Sequence, residues 1–425
     1  MSQSLQGPAA HWERAIEPAM PPLDRYLIAC RRLHVGGSAF PFGCRRVRHG
    51  PRHVESCHEG AALDCPVNRR RSVLAYLAAP AITLVLLVGM LPAAGAQQAL
   101  ASARARGASR LRVTHIGVGA DSFQAAVDAK TATAWVAAGR LVRISEVRQR
   151  VTAKIAVGAS VDLVAVDPGK RAVWTTCTSG LCSLTEVSET TNKVIGQVSG
   201  LGTVSGIAID PRRRLVWAAT RDAAGHNLAL AVSEVTHRVV RIIRLRLRSG
   251  QVLGGITADP ASGTVWVSGI PCSACSAHDN VAEISEAAHR VVHVYSAGRG
   301  ISTSVITAVD SRRGIAWLAY GSFREPGGTI EVINIARQRV VATIHTAWVA
   351  PEGLAIDSRA HMVVATGGST PGTPDSVVLL SESSGRQLAR IPAVGFYPDM
   401  LAADPMTGDV YIPIAFSKTV AQFRI

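Results

Sequence analysis

Past residue 110 the sequence carries four cysteines in two close pairs, Cys177 with Cys182 and Cys272 with Cys275. Cys272, Cys275 and His278 form a C-x2-C-x2-H run, and His226 offers a fourth donor, a set suited to Zn2+ or copper. In an exported chain the same pairs read as two local disulfides, which is the preferred reading. The run is not the CxxCH haem-attachment pattern. A second set consists of oxygen donors: Asp162, Glu352 and Asp399, with Asp121 and Gln124 nearby. Three or four of these converging could hold Ca2+ or Mg2+, or orient a cationic ligand. Solvated carboxylates at a loop rim are the competing reading. No Gly-x-Ser-x-Gly elbow, P-loop or dinucleotide fingerprint occurs.

These residues need elements to position them, and a repeat supplies the plan. Apolar runs end in Asp at Asp128, Asp167, Asp210, Asp259, Asp310, Asp357 and Asp404. Seven residues after each comes a large side chain: Trp135, Trp174, Trp217, Trp266, Trp317, Val364 and Tyr411. The intervals between successive Asp residues, 39 to 51, each fit one four-stranded blade. Within a unit the pattern is strand, tight polar turn, strand, variable loop, strand, turn, strand. Chemistry at the Asp positions is disfavoured, because each precedes a turn whose backbone N–H groups a carboxylate would accept. The Trp row reads as packing between blades.

The last unit ends at Ile425 after three strands, and residues 110–117 read like a fourth strand. The pattern predicts an all-β, seven-bladed β-propeller closed by pairing of its N-terminal strand with the last blade, leaving no free edge. In such a ring the residues five before each repeat Asp (Phe123, Asp162, Ser205, Gly254, Val305, Glu352 and Asp399) surround the channel mouth. Glu352, Asp399 and Asp162 then share one sector. The two cysteine pairs fall in loops of the second and fourth blades.

Pro-Glu-Gly-Leu-Ala-Ile-Asp at 351–357 and Thr-Asn-Lys-Val-Ile at 191–195 carry a resemblance to the YVTN-type β-propeller repeat family. The likeness spans roughly 111–425. The chain departs from that family in placing Glu146, Glu186, Glu234, Glu286 and Glu382 where many blades have Asp. The resemblance implies a binding platform more than a reaction. The repeats also distantly resemble streptogramin lyases, whose chemistry needs a histidine and acids at the channel mouth. Here His237, His289 and His361 fall on turns and His115, His293 and His345 on outer strands, so no such constellation assembles.

Ahead of the propeller, the 425-residue chain divides into a basic leader at 1–68, a signal peptide or signal anchor at 69–96 and a linker at 97–109. Residues 73–95 are almost wholly apolar, follow Arg69, Arg70 and Arg71, and end near the small-x-small site at 94–96. The arginines should stay cytoplasmic and everything beyond Gln97 should be exported. Cys30, Cys44, Cys57, His58 and Cys65 could make the leader a metal-binding tail, but their spacings match no zinc pattern with a CxxC pair. A start at Val67 would leave the leader untranslated, which is the preferred reading.

The net charge of +15 splits almost evenly between residues 1–110 and the nearly threefold longer remainder, so it does not mark a nucleic-acid surface. The arginine run at 238–248 is expected on an exposed outer strand, where charge blocks edge pairing. The expected function is a non-catalytic, exported, monomeric platform for a protein, peptide or envelope polymer, touching membrane only through its N-terminal segment. The alternative is a divalent-metal-dependent lyase or lactonase-like hydrolase with Glu352, Asp399 and Asp162 at the channel mouth.

Overall fold

The computed structural model describes residues 111–425 apart from short stretches at 159, 177–183, 246, 248–251, 271–278, 298–303, 322–327, 347–349, 369–374 and 396. The leader, the apolar segment at 73–95, all four loop cysteines and His278 lie outside the described residues. Among the described residues no helix is long and apolar enough to cross a membrane.

Among the described residues, twenty-eight strands form seven antiparallel sheets of four, a seven-bladed β-propeller. The third blade shows the plan, with β10 (Thr203–Asp210), β11 (Leu215–Arg221), β12 (Asn227–Ser233) and β13 (Arg238–Arg244) pairing in chain order. β11 is buried along its middle, whereas β13 exposes Arg238, Arg241 and Arg244. A bulge opposite Ala231 and Val232 interrupts the alternation of β13 and, with the charges, blunts the outer edge. The arginines are exposed as the sequence suggests.

The first strands are β2 (Gln124–Asp128), β6 (Leu163–Asp167), β10, β14 (Val252–Asp259), β18 (Ser304–Asp310), β22 (Ala350–Asp357) and β26 (Ala402–Ala403). They neighbour one another in that order, and β26 also neighbours β2. The seventh sheet runs β1 (Thr114–Gly117), β28 (Thr419–Arg424), β27 (Asp409–Ile414), β26, with Thr114 opposite Gln422.

The core lies between blades. Trp174 packs with Val216 and Val232 of the next blade, and Trp217 with Val265, Val267 and Ile284 of the one after. Each buried indole removes roughly 150–250 Å2 from water, so the tryptophan row welds blades that share few backbone hydrogen bonds. The short turns close on left-handed residues. Between third and fourth strands of the first six blades these are Gln149, Asn192, His237, His289, Gln338 and Gly385, and between first and second strands of all seven they are Ala132, Arg171, Arg214, Gly263, Gly314, His361 and Gly408. Their φ values run from 46° to 76°.

Candidate functional site

The repeated acids are structural. Each of the seven Asp side chains accepts a backbone N–H from the turn that follows, from Met406 to Asp404 at 2.6 Å through Ala261 to Asp259 at 3.0 Å. Five of them also face a buried Glu from the next blade. These pairs are Glu189 with Asp128, Glu234 with Asp167, Glu286 with Asp210, Glu382 with Asp310 and Glu146 with Asp404. Two buried carboxyls within hydrogen-bond reach are stable when they share one proton. Burial first, and the Asp partner second, push Glu286 up to about 7 and Glu189 and Glu382 up to about 8. The same combination lifts Glu146 to about 9. Burial also pushes Asp210 upward, but hydrogen bonds from Glu286 and Arg213 outweigh it and hold Asp210 below its usual value.

The sequence alignment of these acids needs one correction. The residue equivalent to Glu146, Glu234, Glu286 and Glu382 is Glu189, not Glu186. Its backbone N–H meets Arg171 O, as that of Glu234 meets Arg214 O. The signal was an aliphatic-Ser-Glu triplet, present at 144–146, 187–189, 232–234, 284–286 and 380–382. Glu186 lies opposite Trp174 and instead takes Lys170 at 2.5 Å and the ring of His237 at 2.5 Å.

At 335 and 425 the position holds isoleucine. Beside Ile335, the acid's work is done locally. Ser262 Oγ donates to Asp259 Oδ2 at 2.5 Å, and Trp266 Nε1 donates to Thr264 Oγ1 at 3.2 Å.

A different chemistry occupies the channel. Starts and middles of the first strands enclose a cavity of about 420 Å3. Glu352 of the sixth blade, Asp399 of the seventh, Gln124 of the first and the hydroxyls of Thr257 and Thr307 contribute its polar wall, and no Lys, Arg or His lines it among the described residues. Glu352 occupies a bulge, between the Pro351–Gly367 and Gly353–Thr366 pairs, the kind of irregularity that re-aims a side chain. Asp399 is held from its backbone, which donates to Pro413 O at 2.9 Å, and its Oδ1 accepts the Met400 N–H at 2.8 Å. Desolvation pushes its carboxyl up to about 7 against that one hydrogen bond. The segment carrying it also binds the first blade, since Met400 O accepts Ala125 N–H at 2.9 Å.

Of the other residues picked out by sequence, Gln124 spends its oxygen on Val164 N–H at 3.0 Å, bridging to the second blade. Asp162 is buried beside Ser160, which reaches its Oδ1 at 3.4 Å, and it is not among the cavity-lining residues. Asp121 is half-buried and also outside that lining. Among the described residues no three His, Cys, Asp or Glu side chains are grouped to hold a metal ion. His226 is exposed, and Asp222 holds both its backbone N–H, at 2.8 Å, and its Nδ1, at 2.9 Å. Sequence reasoning missed the shared-proton pairs and the Thr257–Thr307 hydroxyl contact at 2.9 Å, which joins two blades at the cavity wall.

No protein-family model and no curated protein matches the sequence. Among solved structures, Kuenenia stuttgartiensis hydrazine synthase aligns with a TM-score of 0.61 at 15% identity, over 72% of this chain and 96% of that one. The Myceliophteria thermophila Cps50 (Swd1) β-propeller domain aligns at 0.58 and 8% identity, over 72% of this chain and 98% of that one. At such identities the likeness is one of fold, and the fold is a seven-bladed β-propeller.

Proposed function

We propose that the chain is an exported, non-catalytic binding platform of the YVTN-repeat kind, taking a protein, peptide or envelope polymer on the face that bears its long loops. The observation carrying this reading is topological. Antiparallel pairing puts the ends of second strands beside the starts of first strands, as in Ser304 opposite Gly321. The strands that precede the long loops at 270–280, 322–328 and 369–375, which are β15 (Thr264–Ile270), β19 (Ile315–Gly321) and β23 (Met362–Gly368), therefore end on the face where the first strands begin. Long loops on a rigid scaffold are where recognition is usually built. The opposite face has only tight turns, whose acids are committed to packing.

Pairing of β1 with β28 supports a ring latched by its two ends, which makes a stiff support for those loops. A signal segment at 69–96 would deliver it outside, and N-terminal sequencing of the mature protein checks that part. Pull-downs from envelope extracts test the platform: alanine replacement across the three loops should abolish capture that the native chain shows. Unchanged capture by all loop variants would sink the reading.

A further inference from the structure

We infer that the channel cavity receives an alkylammonium or guanidinium group, such as the head of a lysine or arginine side chain or of a free aliphatic amine. The inference rests on the binding reading above and names the chemistry at its mouth. The wall is asymmetric. Glu352 and Asp399 come from neighbouring blades on one side, while the third and fourth blades offer Gly206, Gly254 and Gly255 beside the uncharged Ile207, Ile256 and Thr257. Asp399 lines the cavity, and its side chain makes a single hydrogen bond among the described residues, to Met400 N–H. Its raised pKa follows from desolvation without a counter-charge. A carboxylate withdrawn from bulk water and unpaired is costly, and an entering cation offsets that cost with a charge-assisted hydrogen bond.

Shape selects among cations. Ile207, Leu354, Ile356 and Leu401 give the cavity apolar walls that suit a methylene stem behind a charged head. Its volume of about 420 Å3 admits such a group whole. A divalent ion fits less well, because no third acid joins Glu352 and Asp399 in a ligand set among the described residues. Glu352 and Asp399 are the titratable groups that line the cavity among the described residues, and binding should follow the ionisation of Asp399, which desolvation raises.

Isothermal titration of the full chain with pentylamine, butylguanidine and 1-pentanol tests this. The two cations should bind at least ~10-fold more tightly than the alcohol, and more tightly at pH 8 than at pH 6. Asp399→Asn should weaken cation binding by ~10-fold or more, and Glu352→Gln should weaken it as well, both with an unchanged or raised Tm. A lysine-ended pentapeptide binding well above pentylamine identifies a polypeptide as the source of the cation, and equal binding identifies a free amine. Pentanol matching pentylamine, no binding by either cation, or a folded Asp399→Asn chain with native affinity each overturns the inference. The loop-dependent pull-down would stand or fall separately, since its variants leave the channel intact.

Discussion

Trp217 Nε1 donates to Glu286 Oε1 at 2.6 Å, across the boundary between the third and fourth blades. Glu286 also meets Arg213 Nη1 at 2.8 Å, and Arg213 in turn reaches Asp210 at 2.8 Å. One glutamate thus ties together an indole, a guanidinium and a turn-capping aspartate. Replacing it with alanine leaves a buried indole N–H without an acceptor and opens a void, a loss of about 2–4 kcal/mol. Glu286→Gln keeps an acceptor for Trp217 and should lose less than half as much. Thermal unfolding of both variants decides this, and equal losses would mean that charge matters there more than the hydrogen bond.

The shared-proton pairs make stability depend on pH. Glu146, Glu189, Glu234, Glu286 and Glu382 hold a proton in the folded chain that the unfolded chain, at a value near 4.5, has released. Stability from this source is complete below 4.5 and is lost as pH rises through the folded values, from about 7 for Glu286 to about 9 for Glu146. Asp210 and Asp310, held low despite burial by partners that include Glu286 and Glu382 respectively, lose stability on the acid side, as pH falls through their depressed values. Melting temperature should therefore be highest in mild acid, roughly 5–10 °C above its value at pH 8.5. A Tm that is flat or rising over that range would contradict the shared protons.

The interface beside Ile335, where isoleucine replaces the glutamate, offers a rescue experiment. Thr264→Val should orphan Trp266 Nε1 at a cost of about 1–2 kcal/mol. Adding Ile335→Glu places an acceptor where Glu286 stands relative to Trp217, so the double variant should be more stable than the two single losses added together. The gain should be larger at pH 5 than at pH 8, because the new carboxyl faces Asp259. Additive losses at pH 5 would show that position 335 does not reach the indole.

Turn geometry predicts a stabilising change. Ala132 and Arg171 sit at φ of 48° and 54°, a region that disfavours a Cβ. Ala132→Gly and Arg171→Gly should each add about 0.5–1 kcal/mol, the relief of that strain less the added freedom of the unfolded chain. A lower Tm for both would show the turns to be unstrained.

The cysteine pairs give a covalent prediction. Peptide mapping of the chain without reduction should find Cys177 joined to Cys182 and Cys272 to Cys275. Free thiols at all four positions would remove the disulfides and leave the soft-metal reading with His278 and His226.

The sequence by itself was enough for the architecture, because a propeller writes its plan locally. An apolar run, an Asp, a tight turn and a Trp seven residues on recur within each blade, and neighbouring strands pair in chain order. The role of the Asp row was legible for the same reason, since each carboxylate binds backbone two or three residues ahead. What joins the blades was not. Trp135 meets Glu189 54 residues later and Trp217 meets Glu286 69 residues later. The aliphatic-Ser-Glu triplet marks Glu189 rather than Glu186, but nothing in the sequence says that it faces Asp128 of the blade before. The place of Asp399 at the cavity likewise comes from the seventh blade leaning on the first, where Met400 pairs with Gln124. Periodicity places a residue on its own blade; only the packing of blades against one another decides which carboxyls are shielded from water and which face the channel.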